Sequence, residues 1–387
     1  MSKKIYNIII LFALLNSVVG CHIFKSSENN KSDNIKVNIF DKQDKSPQVV
    51  ATLGPASTSM ESLSKMIDAG LNMARINASH GDHEFQTILI KNLRIAAQKA
   101  GRQIKILMDL QGPKIRVDKL KNPLELKSGE EWLIGESQAV AKNSTSSLRF
   151  IPTIYKDLVK DAAVGGDIFF DDGFLHAKAL EKVSIDGDEF LKIKVIVGGL
   201  LKSSKGINLP GSKISAPSLT EKDLEDLKFA VEQQVDAIGL SFVRTRDDVK
   251  KTKDIIKELG AHTPVVAKIE TPEAVANLSD IIAESDGVMV ARGDLAVEIG
   301  FAKVPTVQRS LMAIAKKLGK EVITATQMLE SMTTSTRPTR AEADNIAHAV
   351  WQGSRAVMLS GESAVGAHPD RAVAVMKEIA CEAQSAL

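Results

Sequence analysis

Cysteine and aromatic residues are scarce in this chain, and neither sign of charge is in excess. Of its 387 residues only two are cysteine and 4% are aromatic, while 50 Lys and Arg nearly balance 48 Asp and Glu. Two cysteines cannot supply a disulfide framework, and so few aromatic residues argue against a stacking platform or a sugar-binding groove. The formal charge of +2 argues against a dedicated nucleic-acid-binding protein, which carries a marked basic excess.

The rest of the composition is that of an ordinary globular protein. Hydrophobic residues make up 44% of the chain and charged residues 25%. Such a chain buries a full core, which excludes wholesale disorder and fibrous structures. At about 150 residues per domain, its length predicts two or three domains, or one large barrel with an insertion. These features favour a soluble enzyme or a binding domain.

The first residues differ from the remainder of the chain. Lys3 and Lys4 precede an apolar stretch, Ile5–Gly20, which is shorter than the about 20 apolar residues that a membrane span needs. This pattern predicts a secretory signal over residues 1–21, and its end resembles a bacterial lipoprotein signal in which Cys21 is lipidated. A misplaced start codon and a eukaryotic secretory leader are the alternatives. The polar residues 22–47 predict a tether with little to bury.

Short apolar runs alternate with amphipathic helical patterns after Pro47. Most of the runs are continuously apolar, as in a parallel sheet that is covered on both faces. The predicted strands are Val49–Leu53, Asn72–Ile76, Lys105–Leu110, Ala237–Phe242, Pro264–Ile269, Gly287–Val290, Glu321–Ala325 and Ala356–Leu359. The helical patterns include Met60–Ala69, Glu84–Ala100, Glu221–Gln234, Asp247–Leu259, Thr306–Leu318 and Asp370–Ala386. Eight such units predict an α/β fold, the (β/α)₈ TIM barrel.

One long interval breaks this alternation, between the third and fourth predicted strands. Short β patterns replace the expected helix there, namely Glu131–Gly135, Asp167–Phe170, Phe174–Leu180 and Phe190–Val197. We predict a small β-barrel domain inserted between the third strand and the third helix, placed over the mouth of the barrel as a lid. The predicted boundaries are 48–116 for the first part of the barrel, 117–205 for the lid and 206–387 for the rest of the barrel.

Polar residues follow the predicted strands, at the end where a TIM barrel carries its function. Glu270 and Asp294 follow successive strands and could together hold a hard divalent cation through oxygen. Arg75, Arg116 and Lys268 supply cations that match phosphate oxygens. A metal site beside a cationic clamp is the equipment for phosphoryl transfer.

Ten segments of the chain resemble those of pyruvate kinases, in the same order and spacing. The segments are ATLGPAS, MARINASHG, KILMDLQGPKIR, KGINLPG, LSFVR, VVAKIE, MVARGDLAVEI, ITATQMLESM, RPTRAE and VMLSGESA. The resemblance extends from about Ser46 to Leu387. It implies phosphoryl transfer from phosphoenolpyruvate to ADP, giving pyruvate and ATP in the last step of glycolysis, with Mg²⁺ or Mn²⁺ as the essential ion.

The resemblance implies roles for residues at the reaction centre. Glu270 and Asp294 match the ligands of the divalent ion, and Lys268 matches the lysine that neutralises the phosphoryl group in flight. Gly293 and Asp294 match the segment whose backbone amides receive the substrate carboxylate. Thr326 matches the threonine beside the enolate. The simpler interpretation of these residues is a set of structural salt bridges, a turn glycine and a packed threonine.

Further positions match residues that bind phosphate groups. Arg75 and Arg116 match residues that hold substrate and nucleotide phosphates, and Lys205 matches a nucleotide contact. Asn77 and His80 belong to the same implied nucleotide site. The Asp171-Asp172-Gly173 turn matches lid residues that face the metal, although turn formation alone also explains it.

The potassium site of many members of that family is altered here. Its implied positions are Asn77, Ser79 and Asp109, but Leu110 stands where those members have a threonine and Lys114 where they have a glutamate. A fixed ammonium group can replace the potassium charge, so we predict activity without added potassium. The alternative is that Lys114 points to solvent.

Other departures concern regulation and function. The C-terminal domain of that family, with its effector site and tetramer contacts, is absent from the resemblance, which predicts loss of that regulation and makes a tetramer less expected. Asn345 and His348 replace an aspartate and an asparagine. One alternative function is a non-catalytic barrel tethered through Cys21, and another is an enolate enzyme such as a lyase. The implied chemistry is cytoplasmic, while the leader leaves export or membrane attachment open.

Overall fold

A computed structural model describes residues 39–40, 44–143 and 148–387. The predicted leader, the candidate lipidation site at Cys21 and most of the predicted tether lie outside these residues. Within the described ranges, no helix is both long and apolar enough to cross a membrane.

Eight parallel strands close into a barrel, which confirms the predicted fold class. Their order around the barrel is β1-β16-β15-β14-β13-β12-β3-β2, and most of their residues are buried because helices cover the outside and side chains fill the inside. The barrel strands are β1 (Gln48–Thr52), β2 (Leu71–Asn77), β3 (Lys105–Asp109), β12 (Ala237–Leu240), β13 (Val265–Ile269), β14 (Gly287–Ala291), β15 (Glu321–Ala325) and β16 (Ala356–Leu359).

Several barrel helices begin at side-chain caps that the sequence encodes. Thr220 and Asp223 form a capping box, as do Thr339 and Glu342. The helices are α1 (Met60–Asp68), α2 (His83–Lys99), α5 (Glu221–Glu232), α6 (Arg246–Glu258), α7 (Pro272–Ala276), α8 (Leu278–Glu284), α9 (Arg292–Ile299), α10 (Val304–Leu318), α11 (Arg340–Trp351), α12 (Gly361–Ala364) and α13 (Pro369–Ser385).

The insertion after β3 has its own apolar core and holds two small helices. Its strands form a six-stranded sheet of order β11-β7-β8-β9-β5-β6 and a two-stranded sheet of β10 and β4, in place of the single small β-barrel that the sequence predicts. The elements are β4 (Leu124–Leu126), β5 (Glu131–Glu136), α3 (Ser137–Asn143), β6 (Phe150–Thr153), α4 (Leu158–Asp161), β7 (Asp167–Phe170), β8 (Leu175–Ile185), β9 (Asp188–Val197), β10 (Gly199–Leu201) and β11 (Ile207–Asn208).

Two boundaries differ from the sequence prediction. The lid sheet includes β11, whose Ile207 pairs with Phe170, so its last strand lies beyond the predicted end at residue 205. At the other end of the barrel, Ile39 and Phe40 are only 2% exposed, although both fall within the predicted polar tether. Ile39 and Phe40 pack with the side chains that fill the barrel interior and close its N-terminal end.

Candidate active site

The carboxyl ends of the barrel strands and the lid enclose a cavity of about 620 Å³. Most of the residues that the sequence singles out line this cavity, because strands that are distant in sequence end at one rim. They are Arg75, Asn77, Ser79, His80, Leu110, Lys114, Arg116, Asp172, Lys205, Lys268, Glu270 and Asp294.

A buried ammonium group lies at the base of the cavity. Lys268 is 8% exposed, and its Nζ lies 3.1 Å from Asp109 Oδ1 and 3.0 Å from Glu270 Oε1. Nζ also donates a hydrogen bond of 2.7 Å to Ser241 Oγ. Burial disfavours the charged form, but the two carboxylates outweigh it and raise the pKa of Lys268. Lys268 is therefore a fixed cation at neutral pH.

Asp109 orients two cations at once. Its Oδ2 accepts a hydrogen bond of 2.6 Å from Arg75 Nε, while its Oδ1 faces Lys268. Burial acts to raise the pKa of Asp109, yet Lys268 and Arg75 outweigh it and hold the pKa below its usual range. Arg75 also donates to Thr52 Oγ1 at 3.0 Å. The residue that the resemblance assigned to a monovalent cation is thus the shared counter-ion of two fixed cations.

The two candidate metal ligands differ in their surroundings. Glu270 Oε2 accepts a hydrogen bond of 2.7 Å from the backbone N–H of Phe242. Its Oε1 is buried and forms an ion pair of 3.0 Å with Lys268 Nζ, but it accepts no hydrogen bond from any described residue. Burial raises the pKa of Glu270, opposed by Lys268 and reinforced by the charge of Asp294. Asp294, in the first turn of α9, is more accessible.

This donor set fits a divalent cation that substrate oxygens complete. In the part of the chain that the structure describes, no group of three or more His, Cys, Asp or Glu side chains could hold a metal. Mg²⁺ is commonly held by one or two carboxylates together with water and substrate phosphate oxygens. Glu270, whose Oε1 accepts no hydrogen bond, and Asp294 match that requirement.

Lys114 points into the cavity and not to solvent. Its Nζ lies 2.8 Å from Asp294 Oδ1 and 3.4 Å from Asp172 Oδ1 of the lid. Burial lowers the pKa of the ammonium, but Asp294 and Asp172 outweigh it and raise the pKa. A Cβ atom on Gly206 would lie 2.9 Å from Lys114 Cε, so the glycine leaves room for this side chain.

The predicted phosphate-binding residues surround the opening of the cavity. Arg116 donates to the carbonyl oxygen of Ser204 at 2.9 Å, and Lys205 pairs with Asp171 at 2.6 Å. His80 Nδ1 lies 3.0 Å from Asn77 Nδ2. Burial, followed by the charges of Arg116, Arg75 and Lys114, lowers the pKa of His80. The imidazole is therefore neutral at pH 7 and can accept a hydrogen bond.

Thr326 and Gly293 lie together in a strained part of the rim. Thr326 has a φ of 72° and Gln327 a φ of 53°, which costs free energy in residues other than glycine. A Cβ atom on Gly293 would lie 2.8 Å from Thr326 Cγ2, so only glycine permits this approach. Neither residue lines the 620 Å³ cavity directly.

Two residues without a role in the sequence analysis support this geometry. Ser241 bridges Lys268 and the carbonyl oxygen of Leu110. Arg292 donates to the carbonyl oxygens of Ala325 and Thr326, which holds the strained turn. The position of Ser241 at the carboxyl end of the predicted strand Ala237–Phe242 is the available signal for the first, whereas nothing in the sequence pattern indicates the contacts of Arg292.

Comparison with known proteins agrees with this geometry. Residues 44–373 match the family model described as "Pyruvate kinase, barrel domain". The chain is 43% identical over 344 residues to a pyruvate kinase of Geobacillus stearothermophilus, covering 88% of this chain and 57% of that protein. It is 42% identical over 341 residues to a pyruvate kinase of Staphylococcus aureus, with the same coverage of both chains. The chain thus spans just over half the length of these relatives, and it belongs to the pyruvate kinase family through that family's barrel domain.

Proposed function

We propose that this chain transfers the phosphoryl group of phosphoenolpyruvate to ADP, giving pyruvate and ATP. The observation that carries the proposal is the buried ammonium of Lys268, fixed by Asp109 and Glu270 beside Arg75 and Asp294. Phosphoryl transfer needs positioned positive charge and no nucleophile on the protein. This arrangement supplies that charge.

Glu270 and Asp294 would hold a Mg²⁺ or Mn²⁺ ion in this proposal. Such an ion, when bound, neutralises charge on the phosphoryl and carboxylate oxygens. Lys114 pairs with one oxygen of Asp294 in the described structure, so the ion would compete with this ammonium for that oxygen. Oε1 of Glu270 accepts no hydrogen bond from the described residues and faces the ammonium of Lys268.

The side chains at the base of the cavity act on the substrate. Arg75 and Lys268 face the phosphoryl group, and the N–H groups at the start of α9, at Gly293 and Asp294, receive the carboxylate. The P–O bond to the enol oxygen breaks while the terminal phosphate oxygen of ADP bonds to phosphorus. Lys268 stabilises charge throughout and does not have to lose its proton.

The enolate that remains then takes one proton at its methylene carbon. Thr326 is the residue that we place beside this carbon, held by Arg292 and by the close approach of Gly293. The nucleotide phosphates lie at the opening, where Asn77, His80, Arg116 and Lys205 meet. Closure of the lid would bring Asp172 toward the metal site and exclude water.

The test is ATP formation from phosphoenolpyruvate and ADP with Mg²⁺, by the purified chain and by Lys268→Met. Because the ammonium acts on charge that develops during transfer, we expect Lys268→Met to lower kcat by about 10³-fold. Lys253→Met is the matched control, since Lys253 is a partly buried lysine paired with Asp286 outside the cavity. Equal loss in both variants, or no ATP formation by the folded chain, would contradict the proposal.

We further propose that the reaction needs no added potassium. Lys114 already places a fixed positive charge beside Asp294 and Asp172, and buried Leu110 offers no side-chain oxygen. Rates in tetramethylammonium and in potassium buffers should agree within about twofold, since a fixed ammonium supplies the same Coulomb attraction. A rate that appears only after potassium is added would refute this part.

We also propose that residues 1–21 form a secretory signal of the lipoprotein type. Cleavage before Cys21 with lipidation would anchor the chain to a membrane surface. The mass of the N-terminal peptide from cells decides between a lipidated Cys21 and an unprocessed Met1.

A further inference from the structure

A second cavity lies next to the active site and has no part in the proposed reaction. Its volume is about 500 Å³, and Lys114 and Phe242 line both cavities. About half of the other lining residues are apolar, including Ile115, Leu209 and Ile214. A cavity of this size and composition suits a small organic molecule.

Glu298 on α9 is the unusual group in this apolar lining. Its Oε1 accepts a hydrogen bond of 2.8 Å from Asn208 Nδ2, and no described cation forms an ion pair with it. Burial raises the pKa of Glu298 to about 7; the hydrogen bond from Asn208 opposes this shift, and the charges of Asp294 and Glu273 add to it. The carboxylate is therefore a partly buried acceptor with which no described cation forms an ion pair.

The cations that line the cavity are engaged elsewhere or exposed. Lys114 pairs with Asp294, and Arg244 donates to the carbonyl oxygens of Ile214 and Ala216. Lys213 is exposed. In addition, Oδ1 of Asn208 is buried and accepts no hydrogen bond from the described residues. Near Glu298 the cavity wall thus offers acceptor oxygens to a ligand, whereas the ammonium of Lys213 is exposed to solvent.

We propose that this cavity binds a small organic ammonium ion, whose apolar part fills the cavity and whose N–H groups pair with Glu298. An ammonium group has three donors and no acceptor, and its charge compensates a carboxylate that the protein leaves uncompensated. An organic anion would be repelled by Glu298 and by Glu273, which lines the same cavity. A neutral alcohol would donate one hydrogen bond to Glu298 but would not compensate its charge.

The site lies between helix α9 and the lid sheet. Glu298 follows Asp294 by one turn of α9, and Asn208 belongs to β11 of the lid sheet. A ligand between these groups contacts both the helix that carries a candidate metal ligand and the strand that leads back from the lid.

The test compares benzylamine with its neutral isostere, benzyl alcohol, by calorimetry on the purified full-length chain at pH 8. Benzylamine should bind at least about tenfold more tightly, because a hydrogen bond to a charged partner is the stronger one. Glu298→Gln should reduce benzylamine to the affinity of the alcohol. Glu273→Gln is the matched control and should leave the difference in place, because it removes the other carboxylate of the same cavity.

A pH series on the unmodified chain tests the same claim without a variant. Glu298 is mostly ionised at pH 8 and mostly protonated at pH 6, while benzylamine stays protonated at both. Benzylamine binding should therefore weaken by about tenfold from pH 8 to pH 6, and benzyl alcohol binding should not weaken. Asn208, Asp294, Glu273 and Lys114 face Glu298 and set where this change falls.

Three results would overturn the inference. They are equal affinity for the two compounds, unchanged benzylamine binding by a folded Glu298→Gln protein, and absence of heat with either compound. None of these measurements depends on ATP formation, so failure of the proposed kinase activity and failure of this site are distinguishable.

Discussion

The two ends of the barrel differ in what they bury: apolar side chains at the N-terminal end and charged side chains at the C-terminal end. At the N-terminal end, Ile39 and Phe40 close the interior, and charged groups satisfy backbone atoms around them. Lys105 Nζ donates to the carbonyl oxygen of Ile39 at 2.8 Å, and Glu321 Oε2 accepts from the N–H of Phe40 at 3.3 Å. At the C-terminal end, Asp109, Lys268 and Glu270 are buried together, and Oε1 of Glu270 accepts no hydrogen bond from the described residues.

The C-terminal end of the barrel lowers the stability of the fold, and the N-terminal end raises it. Buried charges cost desolvation that their mutual attraction repays only partly, and an unpaired buried acceptor adds to that cost. The apolar end contributes stability without offering chemistry. Substitutions at the two ends should therefore separate stability from function.

The largest effect that we expect on stability comes from Phe40→Ala. Loss of a buried phenyl ring leaves a cavity and should lower the free energy of unfolding by about 3 kcal/mol, measured by urea denaturation. The rate per folded molecule should stay the same because the site lies at the other end. Phe301→Ala, at a phenylalanine that is 68% exposed, is the control and should change stability by less than about 0.5 kcal/mol. Equal effects of the two variants would contradict the claim that Phe40 stabilises the N-terminal end of the barrel.

Glu270→Gln should do the reverse at the catalytic end. Removing a carboxylate whose pKa is raised by burial relieves a desolvation cost, so the free energy of unfolding should hold or rise slightly. Mn²⁺ affinity, measured by electron paramagnetic resonance, should fall by at least about tenfold because one charged ligand is lost. Glu298→Gln is the control and should keep Mn²⁺ affinity. An unchanged affinity in Glu270→Gln would remove this residue from the metal site.

Lys114→Gln should strengthen Mn²⁺ binding by a few-fold. The ammonium competes for Asp294 and repels a second cation, with an interaction of about 1–4 kcal/mol at 4 Å for effective dielectric constants between those of water and of a protein surface. Lys205→Gln is the control, because Lys205 pairs with Asp171 of the lid. Weaker Mn²⁺ binding by Lys114→Gln would show that Lys114 supports the ion instead of competing with it.

The smallest effect concerns acid stability at the N-terminal end. Burial acts to raise the pKa of Asp44, but hydrogen bonds from Ser46 and Gln48 outweigh it and lower the pKa from 3.8 to about 2. The folded state binds the proton less tightly than the unfolded state, so Asp44 stabilises the fold above pH 4 and this contribution disappears between about pH 4 and pH 2. Asp44→Asn should flatten the loss of stability in that interval. An unchanged acid slope would contradict the assignment.

The sequence predicts the barrel well because few other folds bury apolar runs of five residues that alternate with amphipathic helices. The observed bounds of β15 (Glu321–Ala325) and β16 (Ala356–Leu359) are the predicted ones. Helices α7 and α8 were not predicted, since helices of five and seven residues are too short to show helical periodicity. Ile39 and Phe40 were included in a polar tether because two apolar residues among polar ones carry no periodic signal.

At the site, the sequence identifies residue types at one rim but not their partners. Lys114 and Asp294 are separated by 180 residues, and only the closed barrel determines that they meet. Asp109 was assigned to a cation site by resemblance, while its function as the common partner of Arg75 and Lys268 depends on side-chain directions that no pattern encodes.

The chain enters and leaves the lid at neighbouring points. Arg116 and Gly206 form a β-bridge, and the lid and the barrel have separate apolar cores. A short turn could therefore join these two points directly and omit the lid without interrupting any barrel strand. The lid is therefore a separable insertion, which could be replaced, lengthened or removed while the barrel strands keep their pairing.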